Sequence, residues 1–411
     1  MNLPSLIREL DSNDSLANKR KEFLLPPDVV YMDGNSLGPS TIAARNAVLK
    51  VTKHQWQNDL IAGWNKHQWI DLPNTVGDKI APLLGAKTGQ VVCADSISVN
   101  LFKVLSAALT LNAERKTIIS ETGNFPTDLY IAQGLQSLLG QENCHLKTVQ
   151  KSEILSSLNE SVAVLMLTQV DFRTGEKLDI QTITRAAHKH GIIVIWDLAH
   201  SAGALPLELD HWQVDFAVGC GYKYLNGGPG APAFVYAANR HITTLSQPIS
   251  GWMGHQAPFE FAPEYRPAQS INKMQSGTPS IIALSALNGA LDVFQNLDLA
   301  VVQQKSLQLK NVFLETLGLT EFSDLTLITP RKEDNQGSQL SFTHADAYAL
   351  CQALIDNGVI ADFRAPNIIR FGFTPLYLSF EDVFIAATKL KHALVEKTYQ
   401  QSHYQVRNKV T

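Results

Sequence analysis

The sequence predicts an α/β fold in which a mainly parallel, helix-covered sheet is joined to a smaller α+β domain at the C-terminal end. Between residues 91 and 236, short apolar runs rich in β-branched residues alternate with stretches that suit helices. The runs are continuously apolar, which is typical of strands covered on both faces. The six runs are residues 91–94, 117–120, 162–166, 192–196, 214–218 and 233–236.

The segments outside this region predict the rest of the architecture. A long helical stretch is expected over residues 281–317, followed by strands at 339–342 and 368–371 and a closing helix over 380–398. The start of the chain, with Gly and Pro around residues 33–39, is expected to pack on the second domain. We therefore predict an N-terminal arm (1–50), a large cofactor-binding domain (51–290) and a small C-terminal domain (291–411).

Composition favours small-molecule partners in a reducing compartment. The chain has 34 Lys and Arg against 38 Asp and Glu, so its net charge of −4 provides no general attraction for nucleic acid or anionic lipid. Four cysteines lie far apart without a C-x-x-C pair, which argues against a disulfide scaffold. The longest apolar runs are too short to span a membrane, and the first residues lack the apolar core of a signal peptide. We expect a cytoplasmic protein.

Polar residues that follow two neighbouring strand runs are the first candidates for chemistry. Asp197 directly follows the run at 192–196, and Lys223 lies in a glycine-rich turn, residues 219–230, after the next run. In doubly wound sheets, ligands bind at the carboxyl ends of the strands. A lysine that forms an imine with pyridoxal phosphate (PLP) and a carboxylate that pairs with the pyridine nitrogen suit this placement. Alone, Asp197 equally suits a helix N-cap, and a lone lysine is usually solvated.

Two further segments could bind the rest of such a cofactor. Residues 95–100 stand between a strand run and a helix, where backbone N–H groups and serine hydroxyls can bind phosphate. Residues 125–128 supply an aromatic ring and a carboxyl group after the next run. Taken singly, the first segment suits a capping sequence and the second a proline-started helix. No dinucleotide-binding glycine motif, P-loop or H-E-x-x-H motif is present, and we expect no metal site.

Six strings resemble the kynureninases, in the same order along the chain. Together they span nearly the whole sequence, and the fourth and fifth separate kynureninases from the related cysteine desulfurases and class V aminotransferases. They are Asp33-Gly-Asn-Ser-Leu-Gly38, Phe125-Pro-Thr-Asp128, Asp197-Leu-Ala-His200, Tyr222-Lys-Tyr-Leu-Asn226, Gly251-Trp-Met-Gly-His255 and Ile369-Arg-Phe-Gly-Phe-Thr-Pro-Leu-Tyr377.

This resemblance implies the fold type I architecture of the aspartate aminotransferase superfamily, PLP as cofactor, and a cytosolic homodimer with active sites at its interface. The implied reaction is hydrolysis of L-kynurenine to anthranilate and L-alanine by Cβ–Cγ cleavage, a step of tryptophan catabolism along the kynurenine pathway, which can lead to NAD biosynthesis. Lys223 would carry the cofactor and remove the Cα proton. Asp197 would pair with the pyridine nitrogen, and Tyr222 would be the acid that protonates Cβ.

The resemblance also assigns contacts. In one subunit the implied cofactor contacts are Ile97, Ser98, Phe125, Pro126, Thr127, Asp128, Thr168, Asp197, His200, Tyr222 and Lys223. Trp252 and Thr278 would reach the phosphate from the partner subunit. Arg370 would bind the substrate α-carboxylate, a role that suits its planar fork, although arginines more often form surface ion pairs. The implied substrate contacts also include Ser36, Trp64 and Gly277. Trp64 with the Gly277–Thr278 pair resembles sites that prefer kynurenine to 3-hydroxykynurenine, although Trp64 also suits ordinary core packing.

Two alternatives remain open. Another fold type I enzyme, such as a cysteine desulfurase or class V aminotransferase, would share the cofactor site, but no cysteine lies in an exposed Gly/Ser-rich loop of the C-terminal part. A non-catalytic binding protein could keep the fold, but it would have no need of Lys223, Asp197 and Arg370 together.

Overall fold

A computed structural model describes residues 3–407, so the first two residues of the predicted arm and the last four of the predicted C-terminal domain lie outside the described residues. The strands are β1 (Val30–Tyr31), β2 (Val91–Cys93), β3 (Thr117–Glu121), β4 (His145–Val149), β5 (Val162–Thr168), β6 (Ile193–Asp197), β7 (Phe216–Cys220), β8 (Ala233–Ala237), β9 (Thr326–Leu327), β10 (Gln339–Thr343), β11 (Val359–Ile360), β12 (Asp362–Arg364) and β13 (Ile368–Gly372).

The α-helices are numbered in the same way, and short 3-10 and π-helical segments join several of them. They are α1 (Leu3–Ser12), α2 (Ile42–Lys50), α3 (Gln57–Asp59), α4 (Gly63–Lys66), α5 (Leu72–Ile80), α6 (Ile97–Leu111), α7 (Pro126–Leu139), α8 (Ile180–Lys189), α9 (Asn239–Ile242), α10 (Ile281–Ala290), α11 (Leu299–Leu317), α12 (Ala347–Asp356) and α13 (Phe380–Glu396). Within residues 3–407, no helix combines the length and apolar character needed to cross a lipid bilayer.

The central sheet has seven strands in the order β2-β8-β7-β6-β5-β3-β4. Five neighbouring strands pair in parallel, in the order β4, β3, β5, β6 and β7. Strand β8 runs antiparallel to both of its neighbours, β7 and β2. All six predicted runs became strands of this sheet. The prediction missed β4, because this edge strand is largely exposed and carries His145, Lys147 and Thr148 where an apolar run would be expected.

Burial on both faces explains why the central strands are continuously apolar. Along β6, Val194 and Trp196 join one apolar cluster, whereas Ile193 and Ile195 join a second cluster on the opposite face. The second cluster also contains Leu101 and other residues of α6, so a helix covers that face. Each fully buried side chain of this size contributes roughly 1.5–3 kcal/mol of transfer free energy. The paired faces therefore hold the strand ends at fixed positions.

The C-terminal part contains an antiparallel sheet in the order β12-β13-β10-β9. The N-terminal segment is bonded to this part, since β1 pairs in parallel with β11 and Lys305 forms a buried ion pair with Asp14. The prediction of one helical stretch over 281–317 was wrong in its middle. The chain leaves the helical path at residues 295–298, and Asp298 then caps α11 by accepting a hydrogen bond from the N–H of Ala300 at 2.8 Å.

A buried carboxylate supports the opposite, amino-terminal edge of the parallel sheet. Asp215 precedes β7 and accepts hydrogen bonds from the N–H of Val194 at 2.9 Å and from Arg240 at 2.6 Å. The Nε2 atoms of His188 and His241 each lie 2.7 Å from its carboxylate oxygens. Burial alone would raise the pKa of Asp215, but the hydrogen bonds from the two histidines outweigh burial and hold the pKa well below its usual range.

We predict that Asp215→Asn lowers the free energy of unfolding at neutral pH by roughly 1–3 kcal/mol, because a buried, multiply bonded carboxylate is lost. A carboxyl group whose folded pKa is depressed stabilises the fold above its unfolded pKa, and this stability is lost as the pH falls toward the folded pKa. The difference in stability between the variant and the parent should therefore shrink below about pH 4. Urea unfolding across this pH range measures it, with exposed Asp334→Asn as control. Equal stability at neutral pH would contradict the assignment.

Candidate active site

The carboxyl ends of three neighbouring parallel strands bring the sequence-predicted residues together. Thr168 ends β5 and pairs in register with Asp197, which ends β6, and Asp197 in turn pairs with Val218 of β7. Lys223 follows β7 by three residues and lies in the turn that the sequence singled out. Because these strands are parallel, their ends open on the same edge of the sheet. Residues far apart in sequence therefore converge at one site.

Lys223 is half-buried, and its amine faces a buried histidine. Its Nζ lies 2.9 Å from Nε2 of His200. Burial, followed by the nearby charges of Lys223, Arg370 and Arg364, lowers the pKa of His200 well below its usual range. The imidazole is therefore neutral at physiological pH, and its Nε2 accepts a hydrogen bond from the lysine. The ring of Phe125 is 6.0 Å from the same Nζ.

Two carboxyl groups share a buried environment beside this lysine. Asp197 is 3% exposed, and its Oδ1 accepts a hydrogen bond from the N–H of Ala199 at 2.7 Å. Asp128, on α7, is fully buried and lies near the Thr168 hydroxyl, with 3.3 Å between Oγ1 and Oδ2. Burial, followed by the charge of Asp197, raises the pKa of Asp128 well above its usual range. Burial also raises the pKa of Asp197, while the Ala199 bond, Lys223 and the hydrogen bond with Asp128 oppose that rise. The rise is larger for Asp128, so of the two carboxyl groups Asp128 binds a proton first.

The start of α6 lies after β2 on the same sheet. Ser96 caps this helix by accepting a hydrogen bond from the N–H of Val99 at 3.4 Å. Ile97 and Ser98 are the first two helical residues, and their N–H groups have no carbonyl partner within the helix. Such a helix start, with two serine hydroxyls beside it, suits a phosphate group.

Arg370 is buried on β13, so it is not a surface ion pair. Its Nε donates to Oδ1 of Asp362 at 2.7 Å, its Nη2 donates to Oδ2 of the same carboxylate, and Nη2 also donates to Oγ of Ser36 at 3.1 Å. Arg364 reaches the same pair, with its Nη2 at 2.8 Å from Asp362 and 3.2 Å from Ser36. The register of β12 and β13 places Asp362 opposite Arg370. Sequence reasoning missed Asp362 and Arg364, because only this register reveals the pairing.

Phe172 links the arginine to the aromatic ring near Lys223. Its backbone carbonyl accepts hydrogen bonds from Nη1 of Arg370 and from Nε2 of Gln339. Its ring packs edge-on against that of Phe125, with 5.1 Å between the centroids. Phe172 therefore joins the C-terminal sheet to the strand-end cluster. Sequence reasoning missed this residue as well, and an aromatic residue four positions after a strand end would have been a weak signal.

Other predicted residues lie at the rim of this cluster or away from it. Pro126 is exposed and Thr127 half-buried in the first turn of α7. Trp64 packs against Trp69 at 5.9 Å, and Trp252 packs against Phe259 at 5.7 Å. Gly277 and Thr278 are exposed, and they line a cavity of about 210 Å³ that also contains Ala94 and Asp95, just before α6. These four residues, Trp64, Trp252, Gly277 and Thr278, are the ones implied to form the aryl pocket or to serve the partner's phosphate.

A cavity of about 720 Å³ lies away from Lys223. It lies behind the lysine turn, where residues 226–229 meet the N-terminal segment, α2 and α10, and its lining is mainly apolar. This cavity lacks the titratable groups of the strand-end cluster. The chemistry therefore belongs to the charged cluster at the strand ends.

The residues of the strand-end cluster fit PLP. An aldehyde needs an amine, which is Lys223; a pyridinium nitrogen needs a buried carboxylate, which is Asp197; and a phosphate needs the start of α6. Two buried polar atoms, Oδ1 of Asp128 and Nδ1 of His200, make no well-formed hydrogen bond within residues 3–407, although their side chains interact with Asp197 and Gln339. Buried polar atoms of this kind are usually satisfied by a bound group.

Solved structures share this fold. The cystine C-S lyase C-DES aligns with a TM-score of 0.75 at 16% identity, covering 89% of this chain and 98% of that one. The cysteine desulfurase CsdA from Escherichia coli aligns with a TM-score of 0.75 at 19% identity, covering 93% of this chain and 99% of that one. At these identities, the likeness concerns the fold alone.

Sequence comparison is more specific. A model described as the kynureninase C-terminal domain matches residues 302–390. The kynureninase of Pseudomonas fluorescens is 46% identical over 408 residues, covering 98% of each chain. The kynureninase of Deinococcus radiodurans is 47% identical over 395 residues, covering 94% of this chain and 95% of that one. With such identity over nearly its full length, and with the strand-end lysine and carboxylate in place, this chain belongs to the kynureninase family.

Proposed function

We propose that this enzyme hydrolyses L-kynurenine to anthranilate and L-alanine, with PLP held by Lys223. The observation that carries the proposal is the joint placement of Lys223, Asp197 and Arg370 in a chain that matches kynureninases from end to end. The reaction is a step of tryptophan catabolism in the kynurenine pathway, which can lead to NAD biosynthesis. Whether the enzyme also accepts 3-hydroxykynurenine depends on the aryl pocket.

When bound, PLP supplies a cationic ring that accepts the electron pair released at the carbon next to the substrate nitrogen. Lys223 would take the Cα proton, and the neutral Nε2 of His200, 2.9 Å away, would position the amine. Asp197 would pair with the pyridine nitrogen, since Asp128 binds a proton before Asp197 does. Phe125 would cover one face of the ring.

The remaining predicted contacts complete the cofactor site. We assign the phosphate to the N–H groups of Ile97 and Ser98 at the start of α6, where the helix dipole also favours an anion. Thr168 lies beside Asp128, and its hydroxyl also donates to Oδ1 of Asn124 at 2.5 Å. We assign to Pro126 and Thr127 a place at the rim of the ring.

Arg370 would bind the α-carboxylate of the substrate, with Ser36 beside it. Its guanidinium is oriented by the buried Asp362, which occupies the Nε and Nη2 side. The exposed fraction of Arg370 is only 1%, and its Nη2 donates to Ser36, so the carboxylate would bind beside this serine. A fixed guanidinium loses little side-chain freedom on binding, which suits a carboxylate clamp.

Tyr222 is the proposed acid that returns a proton to Cβ after the Cβ–Cγ bond breaks. Burial, followed by the nearby Cys220 and Asp197, raises the pKa of Tyr222 above its usual range. The phenol is thus fully protonated at neutral pH and able to donate. Its ring lies 5.9 Å from Nζ of Lys223, so both groups face the same space.

The rival reactions fit less well. A cysteine desulfurase needs a mobile, accessible cysteine, and all four cysteines of this chain, which fall within residues 3–407, are buried. Class V aminotransferases share the cofactor site, but the matched relatives are kynureninases over their full length. A non-catalytic binding protein would not need a lysine beside a neutral histidine together with a carboxylate clamp.

We further propose a homodimer whose active sites lie at the subunit interface. Trp252, Phe259 and Phe261 form an exposed aromatic group, and Gly277 and Thr278 are exposed nearby in the fold. A second copy that covers these residues would bring them to the phosphate and the aryl pocket of that second copy.

We also propose three parts of the chain: an arm (1–50), a large domain (51–290) and a small domain (291–411). The pairing of β1 with β11 supports the placement of the arm on the small domain. Buried, unpaired cysteines support a cytoplasmic location.

Lys223→Ala should abolish turnover, because the chain then lacks both the attachment point for PLP and the base. The measurement is one-to-one release of anthranilate and alanine from L-kynurenine, together with borohydride fixation of PLP to the protein. Lys223→Arg, which keeps the charge but cannot form an imine, should fail equally, whereas exposed Lys147→Ala should match the parent. Full activity of Lys223→Ala would overturn the proposal.

The proposed aryl pocket should prefer kynurenine to 3-hydroxykynurenine. The bulky ring of Trp64 would fill the space that a 3-hydroxyl needs beside Gly277 and Thr278, so the ratio of kcat/KM should favour kynurenine by at least about tenfold. Trp64→His, which adds a hydrogen-bonding ring, should reduce this ratio, and exposed Trp56→His serves as the matched control. Equal kcat/KM for both substrates in the parent would contradict the assignment.

Mixing two inactive variants tests the shared active site. Suppose that Lys223 and Trp252 of one site come from different subunits. When Lys223→Ala and Trp252→Ala chains reassociate at random, about half of the dimers are mixed, and each mixed dimer has one intact site of its two. The mixture should therefore recover about a quarter of parental activity. No recovery, with mixed dimers confirmed by native mass spectrometry, would place both residues in the same subunit's site.

A further inference from the structure

Lys103, on the second turn of α6, is buried completely and bonded on two sides. Its Nζ donates to Oδ2 of Asp95 at 2.5 Å and to the backbone carbonyl of Met274 at 2.6 Å, and its exposed fraction is 0%. The two partners lie eight residues before and 171 residues after it. One ammonium group therefore joins two segments that are remote in sequence.

Both of these segments lead directly into proposed phosphate contacts. Asp95 has a left-handed backbone (φ 52°) in the turn before the Ser96 cap, and Ile97 and Ser98 follow it. Met274 is followed by residues 275–278, which include Thr278. Asp95 and Thr278 line the same cavity of about 210 Å³. Lys103 therefore sets the separation between the two walls of this cavity.

The second segment also positions Trp252. The N–H of Met253 donates to the carbonyl of Ser276 at 3.2 Å. A Cβ atom at Gly251 would lie 2.2 Å from that same carbonyl oxygen, so the two segments are packed backbone to backbone. A shift of the 274–278 segment would therefore move Trp252 as well as Thr278.

We propose that Lys103 is a positioning residue for the phosphate of PLP, acting through Asp95 on its own subunit's site and through residues 274–278 on the partner's. This inference rests on the proposed function and extends it to a residue outside the cofactor contacts. Lys103 and Asp95 are together neutral, so their effect is chiefly geometric. Without Lys103, the Asp95 carboxylate next to the helix start is left uncompensated and repels the phosphate.

The experiment measures the dissociation constant of PLP for each apo-protein by quenching of tryptophan fluorescence, and the 31P resonance of the bound phosphate. Lys103→Met should raise the dissociation constant by about tenfold or more and shift the 31P resonance. Lys305→Met is the matched control. Lys305 is 5% exposed and bonds Asp14 and the carbonyl of Pro375, but it lies on α11, outside the phosphate segments. Its dissociation constant should stay within about twofold of the parent.

A second variant separates repulsion from spacing and guards against misfolding. Asp95→Asn/Lys103→Met removes the buried charge together with its partner, so it should bind PLP more weakly than the parent but more tightly than Lys103→Met. If Lys103→Met cannot be recovered folded, the double variant decides alone, and parental affinity in it would overturn the inference. Parental affinity in Lys103→Met, or an equal loss in Lys305→Met, would overturn it too. A parent that binds no PLP would refute the proposed function and this inference together, whereas parental binding in all variants refutes the inference only.

Discussion

The active site depends on the parallel pairing of β5, β6 and β7, which brings their carboxyl ends to one edge of the sheet. Thr168 and Asp197 are paired across two of these strands, and Lys223 follows the third. The strands are held in register because their side chains are close-packed against a different apolar cluster on each face, so that a slip would misfit the packing on both faces. The packing of the hydrophobic core thus determines where the charged groups of the site lie relative to one another.

Charge balance at this edge explains which groups are ionised. Two buried carboxyl groups cannot both be charged cheaply, and of this pair Asp128 binds a proton before Asp197 does. His200 stays neutral because burial and the surrounding cations lower its pKa. Asp197 thus lies near a lysine, and an arginine is held nearby by its own carboxylate, Asp362. Such an arrangement would suit a ligand with a cationic ring and a carboxylate.

The sequence predicted the parts of the molecule that follow from local patterns. Continuous apolar runs predicted six central strands. A search for polar residues just after these runs pointed to Asp197 and Lys223 as candidate site residues. The exposed edge strand β4 could not be recognised, since its side chains face water and leave no apolar pattern. Asp362, Arg364 and Lys103 were missed for another reason. Their partners are set by strand register or by contacts across long stretches of chain, and neither is encoded by spacing along the sequence. Trp252 and Thr278 show a third limit, because the roles proposed for them depend on a second subunit.

Asp197 would hold the cofactor ring as a cation, because its neighbour Asp128 binds a proton first. The most direct test is the 15N resonance of the pyridine nitrogen in the enzyme loaded with isotopically labelled PLP. We predict a protonated nitrogen at neutral pH in the parent enzyme and loss of that proton in Asp197→Asn. The control variant Asp179→Asn removes only a surface helix cap and should leave the nitrogen protonated. An unprotonated nitrogen in the parent enzyme would contradict the account.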